Sequence, residues 1–250
     1  MDLGIQDKVA LIVGASKNIG KSIAIELAKE GAEVWIVARN SKMLKETVSV
    51  MPGKKKGFLV QDLQIDNGPI KLIEKLKQKK IEPDIIVHNM GGSLGVKNPF
   101  CSREELREVW DFNLGISHEI NINLLPIMID KKWGRCIHIS TLSVKTNRGY
   151  MAYSSSKHAL EGYVKNLSKE VSVNNVVIAG VAPGLVELEG RYFSNLKLTD
   201  PSKLQNYYAE HLPINRMVQP MEIASLVAFM CSEKSSYMAG SIVSIDGGGS

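Results

Sequence analysis

Val9-Ala10-Leu11-Ile12-Val13-Gly14-Ala15-Ser16-Lys17-Asn18-Ile19-Gly20 runs from a strand through a turn into a helix. Val9 to Val13 are apolar without alternation, the pattern of a strand covered on both faces. Gly14 and Gly20 allow a tight turn in which the backbone comes close to a pyrophosphate. The helix behind the turn brings free N–H groups and a partial positive charge to the same place. Glycine is also common in ordinary strand-to-helix turns, so this stretch decides the fold only in company.

The rest of the chain supplies that company. Further strand-like runs lie at Glu33–Val37, Gly57–Gln61, Asp84–His88, Arg135–Ser140, Val176–Val181 and Ser241–Ile245. Amphipathic stretches lie between them, at Ile19–Glu30, Ser41–Val50, Asn67–Lys79, Arg103–Ile129, Ala152–Val173 and Pro220–Ser232. Ser102 with Glu105 makes a capping box before one helix, and Pro220 suits the first turn of another. This alternation predicts an α/β fold, a Rossmann-type doubly wound parallel sheet of about seven strands with helices on both faces. With no repeat or linker, residues 1–250 read as one dinucleotide-binding and catalytic domain. One segment breaks the rhythm. Gly184 to Leu212 shows no strand and no clean helix, yet carries Tyr192, Phe193, Tyr207 and Tyr208. It is expected to be a substrate lid, at about 184–212.

Composition narrows the class. Hydrophobic residues make up 44% and charged residues 23%, ordinary for a globular protein. The net charge of +5 is scattered in short lysine clusters without aromatic interleaving, which argues against a nucleic-acid partner. Three cysteines far apart suggest neither a disulfide framework nor a zinc site. His118, His138, His158 and His211 have no metal-ligand spacing, so no metal is expected. No signal peptide and no membrane span is read, and the expected location is the cytoplasm.

The second strand ends in Val37-Ala38-Arg39. In dinucleotide folds this position meets the adenine ribose, and an Asp or Glu there favours NAD. A guanidinium instead forks onto a 2′-phosphate, and Lys17 reaches toward the same group from the turn. The expected cofactor is NADP(H). The plainer alternative is that Arg39 is ordinary surface.

Tyr153-Ser154-Ser155-Ser156-Lys157 places a phenol and an ammonium on one helical face. A nearby ammonium lowers a phenol's pKa and fits it for proton exchange. A Tyr and a Lys four apart occur often by chance, but these have neighbours at fixed intervals. Ser140 lies 13 positions before Tyr153, and Asn113 lies 27 before Ser140. Asp62-Leu63 follows the third strand, His88-Asn89-Met90-Gly91 the fourth, Pro183-Gly184 comes 30 after Tyr153, and Asp246-Gly247-Gly248 stands near the end. With these intervals the chain resembles the classical short-chain dehydrogenase/reductase family, from Lys8 to Gly248.

The resemblance implies an NADP(H)-dependent oxidoreductase that moves a hydride between nicotinamide and a carbonyl or secondary alcohol. It implies Asn113, Ser140, Tyr153 and Lys157 as the catalytic set, with Tyr153 passing the proton and Ser140 stabilising the substrate oxygen. Thr141 and Ser143 are read only as local backbone partners. Cofactor contacts are implied for Gly14, Ser16, Lys17, Asn18, Ile19 and Gly20 in the turn, and for Arg39, Asp62 and Leu63 at the adenine end. Asn89, Gly91, Tyr153, Lys157, Pro183, Gly184 and Val186 are implied at the other end. Three departures stand out: Asn18 for the middle glycine of the turn, His88 and Met90 in the fourth-strand motif, and Leu188 where the family often has Thr. The substrate class remains open between 3-oxoacyl thioesters, sugars or polyols and other ketones. The rival classes are a dinucleotide sensor that has lost chemistry and a nucleotide-sugar epimerase. A homodimer or homotetramer is implied through the helices at Arg103–Ile129 and Ala152–Val173.

Overall fold

The computed structural model describes residues 1–188 and 190–250. Seven parallel strands form one sheet: β1 (Val9–Val13), β2 (Glu33–Ala38), β3 (Lys56–Val60), β4 (Ile85–His88), β5 (Gly134–Ile139), β6 (Val176–Pro183) and β7 (Ile242–Ile245). Their order is β3-β2-β1-β4-β5-β6-β7. The chain builds outward from β1 to β3, then returns to the other side of β1 with β4. That reversal opens a crevice beyond the carboxyl ends of β1 and β4, where ligands bind in such sheets.

Strand alternation divides the core. Ala10 and Ile12 of β1 face one cluster, and Leu11 and Val13 face the other. The first cluster is covered by α1 (Asn18–Lys29), α2 (Ser41–Val50) and α10 (Pro220–Met230), through residues such as Ile23, Leu27, Leu44, Ile223 and Val227. The second is covered by α3 (Gly68–Gln78), α5 (Ile116–Asp130) and α7 (Met151–Val171). The doubly wound architecture and the seven strands agree with the sequence expectation.

Two elements differ from it. The stretch Arg103–Ile129 is not one helix. It consists of α4 (Arg103–Trp110), a wide π-helical turn at Asp111–Gly115, and α5. The capping box is present at its start, with Ser102 Oγ accepting from Glu105 N at 3.2 Å and Ser102 N donating to Glu105 Oε2 at 2.8 Å. The wide turn buries Asn113, and such turns recur at functional sites.

The second difference is the segment after β6, which is helical where the sequence suggested no clean helix. A short α6 (Ser143–Thr146) lies earlier in the chain. After β6 come α8 (Tyr192–Thr199) and α9 (Pro201–His211). Asp200 caps α9 by accepting from Lys203 N at 3.0 Å, and Pro201 sits in its first turn. Leu196, Leu204, Tyr208, Leu212 and Met217 form a small separate core there. Phe193 and Tyr207 pack with ring centres 4.5 Å apart. Glu189, inside the expected lid, lies outside the described residues. No helix is long and apolar enough to cross a membrane, among the described residues.

Candidate active site

The glycine turn is shaped by its backbone. Gly14 has φ +81° and Asn18 φ +53°, so Asn takes the left-handed conformation expected of a glycine. Asn89, at the end of β4, donates to Gly14 O at 2.8 Å and ties the turn to the crevice. A Cβ on Gly20 would lie 2.7 Å from that amide nitrogen, so only glycine fits there.

From this turn a groove of about 730 Å³ runs across the switch point. The sequence-predicted residues Gly14, Ser16, Lys17, Asn18 and Ile19 line its phosphate end. Arg39, Asp62 and Leu63 line the end beyond β2 and β3, and Asn89 and Gly91 the middle. Arg39 is largely exposed, its guanidinium 3.3 Å from Gln64 Oε1 and 3.9 Å from Asp62 Oδ2. Two cations at the rim, with Ala38 where a carboxylate would select a free ribose, suit a dinucleotide with an added ribose phosphate. Gly20, Tyr153, Lys157, Pro183, Gly184 and Val186 do not form the groove wall. Pro183 O accepts from Leu142 N at 2.8 Å, and Val186 bridges to Val218. A Cβ on Gly184 would lie 2.9 Å from Asp246 Cα. Leu188 and Arg191, both from the expected lid, line it as well.

Behind Gly91 stands α7. Tyr153, Lys157 and Glu161 follow one another at four-residue spacing on α7. Lys157 is buried, and its Nζ donates to Ile139 O at 2.8 Å. Burial brings its pKa down to about 8, against which the charge of Glu161 pulls upward. A Cβ on Gly91 would lie 2.8 Å from both Lys157 Nζ and Asn113 Oδ1, so this glycine lets the three elements meet. Asn113 Oδ1 accepts from Gly92 N at 3.0 Å, and its Nδ2 donates to Gly92 O at 2.8 Å and to Val109 O at 2.7 Å. The wide turn thus clamps the loop after β4.

Two features depart from the sequence reading. The Tyr153 phenol is not lowered by Lys157. Burial raises its pKa, and a hydrogen bond with Thr141 is the group that counters this. The ammonium is engaged by the Ile139 carbonyl instead. Ser140 is engaged elsewhere as well: its Oγ donates to Glu161 Oε1 at 2.7 Å inside the protein. The sequence reading passed over Glu161, although its place four after Lys157 puts it on the same face.

Beside this site lies a buried polar island. His88 and His138 occupy paired positions on β4 and β5 and stack with ring centres 4.6 Å apart. Asn121 Oδ1 lies 2.8 Å from His88 Nε2, and its Nδ2 lies 3.4 Å from His138 Nε2. Burial lowers both imidazole pKa values, that of His88 to about 4, and Lys157 lowers them further. Cys136 brings its sulfur within 4.8 Å of the two imidazole nitrogens, a convergence the chain spacing did not reveal. Its thiol is pushed up by burial. The nearby lysine charge disfavours a cation at this place.

Comparisons with known proteins agree with the geometry. The family described as Enoyl-(Acyl carrier protein) reductase matches residues 14–250. The 3-oxoacyl-(acyl-carrier-protein) reductase FabG of Aquifex aeolicus is 31% identical over 252 residues, covering 99% of each chain. Among solved structures, L-sorbose reductase from Gluconobacter frateurii, complexed with NADPH and L-sorbose, superposes with a TM-score of 0.91 at 29% identity. That match covers 100% of this chain and 98% of the other. A 3-oxoacyl (acyl-carrier-protein) reductase from Agrobacterium tumefaciens with NADP bound gives 0.88 at 25% identity, covering 99% and 96%.

Proposed function

Because the chain belongs to the classical short-chain dehydrogenase/reductase family, we propose that it reduces a carbonyl to a secondary alcohol, or runs the reverse, with NADP(H). The observation that carries this is the meeting of Lys157, Asn113 and Gly91 at the switch point, with Tyr153 one turn before Lys157 on α7, beside a groove rimmed by Lys17 and Arg39. NADPH held there would supply the hydride. Lys17 and Arg39 would hold its 2′-phosphate, and Tyr153 and Lys157 its nicotinamide ribose. In reduction the Tyr153 phenol gives its proton to the substrate oxygen as that oxygen becomes negative. Asn113 keeps the loop around Gly91 and Gly92 closed against Lys157.

The sequence relatives favour a 3-oxoacyl thioester as substrate. The likeness to L-sorbose reductase supports a sugar carbonyl as the second reading. Further parts of the proposal are a cytoplasmic location and a homotetramer or homodimer. Trp110 and Ile122, both substantially exposed on the helices concerned, support association there. Helices α8 and α9 are proposed as one wall of the substrate site, since Leu188 and Arg191 at their entrance line the groove.

The test is NADPH oxidation with acetoacetyl thioester and L-sorbose as alternative substrates. Tyr153→Phe is expected to lower turnover ~10²–10⁴-fold while NADPH binding holds. Retained turnover in Tyr153→Phe would show that another group carries the proton.

A further inference from the structure

Three cations line the groove among the described residues. Lys17 and Arg39 come from the turn after β1 and from the end of β2. The third, Arg191, comes from the segment after β6. In the sheet, β6 stands two strands beyond β4, on the order of 10 Å from it, on the side away from β2. Arg191 and Arg39 therefore approach the groove from opposite flanks of the switch point. The acid on the wall, Asp62, lies beside Arg39, 3.9 Å from its guanidinium.

The backbone holds Arg191 at this place. Glu187 pins the root of the segment: its N donates to Val218 O at 3.0 Å, its Oε1 accepts from Lys197 Nζ of α8 at 2.7 Å, and its Oε2 accepts from Gln219 Nε2 at 2.5 Å. Leu188 N donates to Ser194 Oγ of α8 at 3.1 Å, and Arg191 N donates to Leu188 O at 3.2 Å. These bonds bring Leu188 and Arg191 to the wall together. Leu188 presents only carbon there, so the polar side chain that this segment gives to the groove is that of Arg191.

Two parts of NADP(H) are anionic, the ribose 2′-phosphate and the diphosphate. In the reading above, Lys17 and Arg39 meet the first. The second belongs over the glycine turn, where α1 begins with its free N–H groups. Apart from Lys17, the residues from Gly14 to Gly20 bring no charged side chain to it. Tyr153 and Lys157 are not on the groove wall, so a cation on that wall faces the length of the cofactor rather than the reacting oxygen. A guanidinium also forks onto two phosphate oxygens at once. We infer that Arg191 is a cofactor-binding residue that holds the diphosphate of NADP(H). The inference rests on the NADP(H) reading above and adds to it a residue from the segment after β6.

The experiment measures binding by the parent, Arg191→Gln, Arg191→Lys and Arg39→Gln. Three probes are used: NADPH, ADP-ribose, which has the diphosphate without the 2′-phosphate, and adenosine 2′-monophosphate, which has the reverse. Arg191 is exposed, so its variants are expected to fold as the parent does. In Arg191→Gln the Kd values of NADPH and ADP-ribose are both expected to rise ~10-fold, the loss of a hydrogen bond to a charged group, while that of adenosine 2′-monophosphate stays in place. Arg191→Lys keeps the charge and recovers part of the loss. Arg39→Gln is expected to do the opposite, weakening NADPH and adenosine 2′-monophosphate and sparing ADP-ribose. Parental affinity of Arg191→Gln for ADP-ribose overturns the inference, and a raised KM for acetoacetate alongside it would assign the guanidinium to an anionic substrate. Equal weakening of ADP-ribose and adenosine 2′-monophosphate in Arg191→Gln also overturns it, because the groove as a whole has then changed. A parent that binds NADPH no more tightly than NADH overturns the NADP(H) reading instead, and ADP-ribose still tests Arg191.

Discussion

Replacing His88 by Asn tests how strongly one buried imidazole governs stability in acid. Burial holds its pKa down to about 4 from 6.5, a hydrogen bond to Asn121 Oδ1 pulls the other way, and the charge of Lys157 adds to the lowering. The folded protein therefore refuses a proton that the unfolded chain accepts. For a group lowered on folding, the contribution to stability is whole above pH 6.5 and disappears as the pH falls toward 4. The gap between the two values corresponds to about 3 kcal/mol in all, and about 2 kcal/mol of it is gone by pH 5. The assay is urea unfolding of the parent and of His88→Asn, each at pH 7 and pH 5. The parent is expected to lose about 2 kcal/mol more than the variant between the two pH values. Carboxylates titrate in both proteins and drop out of the comparison. Equal losses in parent and variant would refute the assignment of this acid sensitivity to His88.

Arg39→Asp is expected to reverse the cofactor order, with NADPH favoured over NADH by at least ~10-fold in the parent, about 1.4 kcal/mol. Equal affinities of the parent in a fluorescence titration would remove the case for Arg39. Gly91→Ala drives a methyl against Lys157 and Asn113, and turnover should fall at least ~10-fold with little change in melting temperature; parental turnover would show that this contact is slack. Amides of Leu185–Leu188 and Arg191–His211 should gain hydrogen-exchange protection with NADPH and substrate together. Equal protection with and without them would make α8 and α9 a fixed wall. Light scattering at micromolar concentration should give a mass of two or four chains, and a mass near one chain would end the proposal of association.

The strands and the long helices were legible because their periods are regular and their faces are buried on both sides of one sheet. Ala10 and Ile12 against Leu11 and Val13 show how directly that pattern maps onto two cores. The wide turn at Asp111–Gly115 was not legible, since it changes helical register without changing the apolar pattern around it. Helices α8 and α9 were missed because they are short and bury their aromatics in a satellite core, which leaves no long stripe to read. In the site, Tyr153 and Lys157 declared themselves by helical spacing. The engagement of Ser140 did not. It depends on Glu161, a carboxylate two helical turns beyond Tyr153, which claims the Ser140 hydroxyl.

The packing of α1 against α10 has a consequence for how the protein is made. Ile23, Ala24 and Leu27 share one core cluster with Ile223, Ala224 and Val227, roughly 200 positions later in the chain. During synthesis at roughly 5–20 residues per second, the apolar side of the first helix stays uncovered for about 10–40 s before its partner exists. The last strand, β7, comes later still. Nascent chains of this protein should therefore be sticky until α10 and β7 have emerged. Substitutions on α10 that weaken its grip on α1 should then reduce the yield of folded protein in the cell before they reduce the activity of the molecules that succeed in folding.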